Sequence, residues 1–240
     1  MKANLILLSY IISAILFIVG IKRLGKVNTA RQGNFLSAVG MLIAIIATLF
    51  KMEAIPLPWI LAGVALGTLI GAFSAIKVAM TAMPEMVAIF NGFGGGASAL
   101  VASAELFKYL NEKEVYLKKL TETNSDIIII MITIVLSVII GSLTFTGSFI
   151  AWGKLQGKIS GQPITYPGQN ILNGIILMGM IITAYFFVLN PENIVAFSII
   201  LGIGLLLGIL FVIPIGGADM PVVISLLNSY SGIAAASTGF

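Results

Sequence analysis

GGADMPVVISLLNSYSGIAAASTGF, residues 216–240, places an aspartate, a proline and a polar quartet inside a segment that is apolar and long enough to span a bilayer. The hydrocarbon core of a membrane requires about 20 apolar residues of a helix. A buried polar group without a hydrogen-bond partner costs about 2–7 kcal/mol, so polar residues in such a helix normally face other helices or water. The segment therefore predicts a membrane span whose polar face is functional or binds a neighbouring helix.

The composition extends this interpretation to the whole chain. Of its 240 residues, 59% are hydrophobic and only 9% are charged, and the mean hydropathy is +1.11. A soluble protein of this length needs a charged surface, which 13 Lys and Arg and 9 Asp and Glu cannot supply. We therefore predict an all-α, polytopic transmembrane helix bundle that is surrounded by the lipid bilayer.

Apolar windows of the length that a bilayer requires predict about eight spans. They cover residues 3–20, 34–51, 58–76, 84–106, 126–152, 169–189, 194–213 and 219–240. Residues 114–126 predict a short interfacial helix, and residues 158–170, which include two prolines, predict an irregular loop. We expect residues 1–240 to form a single membrane domain.

The residue types that are missing limit the chemistry. The chain contains no cysteine and no histidine, which removes disulfides, the usual metal ligands and the one side chain that titrates near neutral pH without a perturbed pKa. We expect no metal site, and any proton transfer must use carboxylates, water or another chain. The net charge of +4 is small and dispersed, so nucleic acid is not an expected partner.

The distribution of basic residues predicts the orientation in the membrane. The basic residues that follow spans one, three and five would share one side: Lys22, Arg23, Lys26, Arg31, Lys77, Lys154 and Lys158. By the positive-inside rule that side is cytoplasmic, which places the amino terminus outside. The lysines after span four oppose this assignment: Lys108, Lys113, Lys118 and Lys119.

The fourth predicted span carries a narrow stripe of polar and small residues. Its members recur at steps of three and four, which align on one helix face: Asn91, Gly95, Ser98, Ala102 and Glu105. Residues 92–96 contain four glycines, which weaken or bend a helix. Two interpretations stay open, a hydrated pathway near Asn91 and a tight helix crossing.

Glycines at every fourth residue in the third span predict close helix contacts at Gly63, Gly67 and Gly71. Gly204 and Gly208 have the same spacing, but for these two we expect only the general frequency of glycine in membrane helices.

The final span has a polar face of its own. Ser225, Asn228, Ser229 and Gly232 share one side of a helix at this spacing. Asp219 comes shortly before them, at the predicted amino terminus of the helix, where a negative charge is stabilised. Asp219 is therefore either a residue of an aqueous mouth or an ordinary helix cap.

Four segments together resemble the membrane domain of the beta subunit of proton-translocating NAD(P) transhydrogenase. They are TARQGN (29–34), KVAMTAMPEMVAI (77–89), SLTFTGSFIAWGKLQGKI (142–159) and GGADMPVVISLLNSYSG (216–232). The segments follow the order of the family across nearly the whole chain, and two of them are long and specific.

The resemblance implies a complex that couples hydride exchange between NADH and NADP to proton movement, with this chain as the proton conduit. It also implies an alpha subunit, which supplies membrane helices and the NAD(H) domain, and a dimer of alpha-beta protomers in the bacterial inner membrane. In the family, an NADP(H)-binding domain follows further membrane sequence, and we expect this chain to lack it. The fragment alone should then be inactive, with NADP(H) and NAD(H) bound by other domains.

No cofactor site is expected within this chain. GFGGGAS, residues 92–98, has the composition of a phosphate-binding loop, but it lies inside an apolar helical window instead of between a strand and a helix.

The resemblance also implies which residues form the proton pathway. The position of Asn91 is histidine in some members and asparagine in others, and asparagine cannot titrate. Either a histidine of the alpha subunit carries the proton, which we favour, or waters pass it along Asn91 and Asn228. The pathway residues implied are Asn91, Asn228, Ser229 and Ser231, with Asp219 and Glu85 at the cytoplasmic mouth.

Two other functions fit the composition. A stand-alone ion- or small-solute-coupled secondary transporter would use broken fourth and final helices as a midplane site, and would work without a nucleotide-binding subunit. A purely structural membrane anchor would tolerate apolar replacements at Asn91 and Asn228.

Overall fold

The computed structural model describes residues 2–51, 57–122 and 126–239. Within these ranges the chain is all-α, with nine α-helices, two short 3-10 turns and no strand. The helices are α1 (Lys2–Leu24), α2 (Val27–Lys51), α3 (Leu57–Lys77), α4 (Met83–Asn111), α5 (Lys113–Glu122), α6 (Ile127–Leu155), α7 (Gln169–Leu189), α8 (Ile194–Val212) and α9 (Met220–Thr238).

Eight of these described helices are long and apolar enough to cross a membrane. Each one overlaps a predicted span, so the all-α polytopic fold is confirmed. The boundaries differ most at α2, which begins at Val27 instead of residue 34. The polar residues at its start are still helical, and the hydroxyl of Thr29 donates a hydrogen bond to Arg23 O at 2.8 Å across the turn from α1.

The helix α5 corresponds to the predicted interfacial helix, apart from residues 123–125, which lie outside the described residues. Lys113 at its start forms an ion pair with Glu192, which belongs to the connection between α7 and α8. Asp126 then caps α6, because its carboxylate accepts a hydrogen bond from Ile128 N at 2.8 Å. The predicted irregular loop is also confirmed, since regular helix resumes only at Gln169.

The chain divides into two compact units, residues 1–73 and residues 74–240. In the first unit α1 and α2 form an antiparallel pair. The hydroxyl of Ser13 donates to Gly40 O at 2.6 Å, and a Cβ at Gly33 would lie only 2.6 Å from Gly20 O. Small residues and one buried hydroxyl thus bring these two backbones together.

The helix α3 contains the predicted glycine series. A Cβ built at Gly63, Gly67 or Gly71 would meet no atom within 4 Å. The close contacts predicted for these glycines are therefore not made within the part of the chain that the structure describes.

In the second unit, α6 packs against α4, α7, α8 and α9. It crosses α4 backbone to backbone, because a Cβ at Gly95 would lie 2.8 Å from Gly141 O. A Cβ at Gly141 would lie 2.5 Å from Gly95 O. The stripe on α4 is therefore a tight helix crossing, and α4 continues as one helix through its four glycines.

The contact of α8 with α6 is equally close. A Cβ at Gly208 would collide with Leu143 O and with the hydroxyl of Thr146, and a Cβ at Gly204 would collide with the hydroxyl of Ser142. The expectation that Gly204 and Gly208 are incidental is therefore wrong. Their spacing matches that of the α3 glycines, and only the packing partner distinguishes the two series.

Two apolar clusters fill the second unit. The larger one joins α4, α6, α7 and α8 and includes the fully buried Met131 and Phe187. The smaller one includes Ala88 of α4, Ala151 of α6 and Met220 of α9. Along α4 and α6, the buried residues between the two clusters are small or polar, and the candidate site lies among them.

The crossing of α4 and α6 predicts different effects for two neighbouring glycines. Gly95→Ala should lower the stability of the detergent-solubilised protein by about 1–3 kcal/mol, because both close neighbours are fixed in position and the added methyl group is overpacked. Gly94→Ala, where a Cβ meets nothing within 4 Å, should stay within about 1 kcal/mol of wild type. Thermal unfolding of the two variants measures the difference, and equal midpoints would contradict the tight crossing.

Candidate functional site

A buried hydrogen-bonded cluster joins α4, α6 and α9, and we call Asn91, Ser148 and Ser231 the Asn91 cluster. Asn91 is 6% exposed and Ser148 is fully buried. The amide nitrogen of Asn91 donates to Ser148 Oγ at 2.9 Å, and the hydroxyl of Ser231 donates to Asn91 Oδ1 at 2.7 Å. Both polar atoms of the amide are thus satisfied by side chains from two other helices.

Two glycines on α4 make this contact possible, because a glycine has no side chain to hold α6 at a distance. A Cβ at Gly92 would lie 3.3 Å from the Cβ of Ser148, and one at Gly95 would lie 2.9 Å from the Cβ of Thr144. The two helices are antiparallel. One turn before Gly95 on α4 therefore lies beside one turn after Thr144 on α6, which brings Asn91 next to Ser148. Because α4 lies this close, the short amide side chain of Asn91 reaches α6.

Thr144 extends the polar surface by one helical turn along α6. It is fully buried, and its hydroxyl has no hydrogen-bond partner among the described residues. Buried hydroxyl groups are nearly always hydrogen-bonded in folded proteins. Thr144 therefore leaves a donor and acceptor group available beside the Asn91 cluster.

Sequence reasoning missed Ser148 and Thr144 as site residues. A signal for them exists, because hydroxyl residues occur at every second position from residue 142 to residue 148 of an otherwise apolar helix. Alternate positions point in different directions around a helix. The pattern alone therefore does not distinguish the hydroxyls that face α4 from those that face α8.

The predicted polar face of α9 is turned away from the protein. Ser225, Asn228, Ser229 and Gly232 are all exposed, and the hydroxyl of Ser229 donates to Ser225 O of its own helix at 3.2 Å. Ser231 is half-buried and belongs to the Asn91 cluster. Residues three apart are neighbours on a helix, so Ser231 links the cluster to the edge of the exposed face at Asn228.

The two predicted mouth residues lie at the end of the second unit where α4 and α9 begin. Asp219 is exposed and occupies the position before α9, but its side chain makes no capping hydrogen bond. The cap interpretation of Asp219 is therefore not supported by its geometry. Glu85 is half-buried, and its carboxylate accepts a hydrogen bond from the amide of Gln156 at 2.8 Å.

A cavity of about 320 Å³ opens beside Glu85. Its lining includes Lys77, Trp152 and Gln156 together with apolar residues of α4. The cavity thus gives Glu85 a partly polar surrounding at the end of the helices. Among the described residues, no group of three or more Asp, Glu, His or Cys is placed to hold a metal ion.

Comparison with known proteins gives one family. The sequence profile of the family described as NAD(P) transhydrogenase beta subunit matches residues 6–240. Two curated sequences from Rhodospirillum rubrum, both named NAD(P) transhydrogenase subunit beta, are each 40% identical to this chain over 240 residues. The match covers 100% of this chain and 50% of each relative. The chain thus spans about half the length of the curated relatives it matches.

The two asparagines should differ in their effect on stability. Asn91→Leu removes both hydrogen bonds of the amide and leaves buried hydroxyls without partners, so it should destabilise the detergent-solubilised protein by about 1–3 kcal/mol. Asn228→Leu makes the same chemical change on an exposed face and should shift the free energy of unfolding by less than about 0.5 kcal/mol. Thermal unfolding measures both, and a larger loss for Asn228→Leu would contradict the placement of the cluster.

Proposed function

The chain belongs to the family of NAD(P) transhydrogenase beta subunits, and from that premise we propose that it is the proton-conducting membrane module of such an enzyme. In this role it couples hydride transfer between NADH and NADP to proton movement across the membrane. The observation that carries the proposal is the Asn91 cluster, a fully hydrogen-bonded set of neutral polar groups within helices that are long and apolar enough to span a bilayer.

The side chains of the Asn91 cluster can take part in relaying a proton, but they are not suited to bind one and become charged. Asparagine and serine do not titrate near neutral pH, but their amide and hydroxyl groups donate and accept hydrogen bonds. The cluster therefore orders water or a titrating group of another chain without holding charge itself. Thr144, with an uncommitted buried hydroxyl, would be the next polar position along α6.

The titrating group would come from the alpha subunit. This chain has no histidine, while its exposed polar face on α9 would be costly against lipid. Membrane helices of an alpha subunit that cover Asn228 and Ser229 would satisfy this face. A histidine on such a helix would reach Asn91 through Ser231, which borders the face.

Asp219 and Glu85 would form the cytoplasmic mouth of the pathway. Lys158 lies at the same end of α6 as the glutamine that binds Glu85, and the positive-inside rule then assigns this end to the cytoplasm. The amino terminus would lie outside, and the chain would reside in the bacterial inner membrane. An acidic mouth raises the local proton concentration, which supports entry of protons.

Hydride transfer would occur outside these residues. The glycine-rich segment that resembles a phosphate loop is part of the helix α4, so NADP(H) and NAD(H) would bind to other domains of the complex. That complex would contain the alpha subunit and an NADP(H)-binding domain, arranged as a dimer of alpha-beta protomers. This chain alone would not catalyse the reaction.

Replacing the asparagines in the complete complex tests the proposed pathway. In membrane vesicles, Asn91→Leu and Asn228→Leu should each lower coupled proton pumping by about tenfold, since one lost relay step of about 1.4 kcal/mol corresponds to that factor. Hydride exchange between bound nucleotides should change less. Pumping is followed with a fluorescent pH probe and hydride transfer by absorbance.

Asn170→Leu is the matched control, because Asn170 is an exposed asparagine on α7, a helix that contributes no residue to the Asn91 cluster. It should pump at the wild-type rate. Unchanged pumping in Asn228→Leu would remove Asn228 from the route, and unchanged pumping in both test variants would contradict the proposed pathway. Proton movement without nucleotides, driven by another solute, would instead favour a secondary transporter.

A further inference from the structure

Lys154, in the last turn of α6, is buried although it carries a positive charge. It is 4% exposed. Its ammonium group donates to three backbone carbonyls, Ile213 O at 2.6 Å, Ile215 O at 2.8 Å and Gln162 O at 3.2 Å. A lysine has three N–H donors, so every donor of this group is used and the charge is surrounded by carbonyl dipoles.

These three carbonyls belong to two different loops. Gln162 lies in the α6–α7 loop, residues 156–168, while Ile213 and Ile215 lie in the α8–α9 loop, residues 213–219. The loops also contact one another directly. Gly217 N donates to Gly161 O at 2.8 Å, and Ile164 N donates to Ile213 O at 3.3 Å. Ile213 O therefore accepts from both Lys154 and the facing loop.

The carboxyl end of α8 explains why a cation is stable at this position. The last carbonyls of a helix have no partner within the helix and carry partial negative charge. Lys154 approaches from α6 and binds the carbonyl of Ile213, the residue that directly follows α8. An apolar side chain there would leave three carbonyls of the two loops without this donor.

We propose that Lys154 is a positioning residue that fixes the α8–α9 loop and thereby sets the position of Asp219 at the mouth of the pathway. The effect on Asp219 rests on the proposed function. The loop anchoring itself does not. Asp219 ends the same loop whose carbonyls Lys154 binds, and its carboxylate has no capping bond of its own to α9. Its position consequently follows the backbone of the loop.

Lys158 provides a control for charge alone. It is exposed and lies four residues after Lys154, beyond the end of α6. Its ammonium group is 4.2 Å from the ring centre of Trp152. Lys158→Met removes the same charge from the same end of the protein as Lys154→Met. A difference between the two variants therefore reports the carbonyl contacts and not the loss of one positive charge.

Hydrogen exchange of the complete complex tests the anchoring. In Lys154→Met, the peptide that covers residues 213–219 should exchange about tenfold faster than in wild type, because its amides lose the support of the facing loop. Lys158→Met should exchange at the wild-type rate. Lys154→Gln, which keeps two N–H donors, replaces the methionine variant if that variant does not assemble. Wild-type exchange in the assembled Lys154 variant would overturn the inference.

Coupled activity of the same samples tests the effect on Asp219. Lys154→Met and Lys154→Gln should pump about tenfold fewer protons per hydride transferred, a factor that corresponds to one lost interaction. Lys154→Arg should restore a large part of the ratio, since it keeps the charge and the donors. Faster exchange with an unchanged ratio would overturn the positioning role. A wild-type complex that pumps no protons would overturn the proposed function, while the exchange result would still decide the anchoring.

Discussion

The close approach of α4 to α6 at Gly95 and Gly141 is the contact on which the candidate site depends. Each backbone carbonyl lies where a side chain of the other helix would have to go. In a bilayer, lipid tails are as apolar as leucine, so helices associate through close packing and hydrogen bonds. Without this crossing, the amide nitrogen of Asn91 would not reach Ser148 Oγ.

Helix α6 forms hydrogen bonds with three neighbouring helices through different hydroxyl groups. Ser137 donates to Ala234 O of α9 at 3.2 Å, Thr146 donates to Leu205 O of α8 at 2.7 Å, and Ser148 accepts from Asn91 of α4. Each bond lies beside a contact of small residues or backbone. The polar residues in the middle of α6 thus link it to its neighbours, and Ser148 joins Asn91 and Ser231 in a network of side chains.

The fold followed from the sequence because the bilayer fixes the length and composition of each span. The three- and four-residue spacing placed Asn91 on one face with Gly95 and Ser98, but it left open whether that face lines a hydrated pathway or a tight helix crossing. The sequence did not reveal Ser148 as its partner, because that depends on the register of two helices 57 residues apart. It also placed Asn228 on a polar face without indicating that this face points outward, since the rotation of a helix is set by packing. Gly63 and Gly208 show the same limit. Each belongs to a series of glycines at every fourth residue, but a Cβ at Gly63 would meet no atom within 4 Å, whereas one at Gly208 would collide with α6.

The helix α9 links Asp219, at the proposed mouth of the pathway, to Ser231 in the Asn91 cluster. Asp219 precedes its first turn and Ser231 binds Asn91, twelve residues later, which corresponds to about 18 Å along a helix. A shift of the α8–α9 loop along the helix axis would act on the hydrogen bond between Ser231 and Asn91, because one continuous helix joins the loop to Ser231. Because Lys154 binds carbonyls of that loop and Ser148 binds Asn91, α6 contacts both the backbone before α9 and the residue that Ser231 of α9 binds.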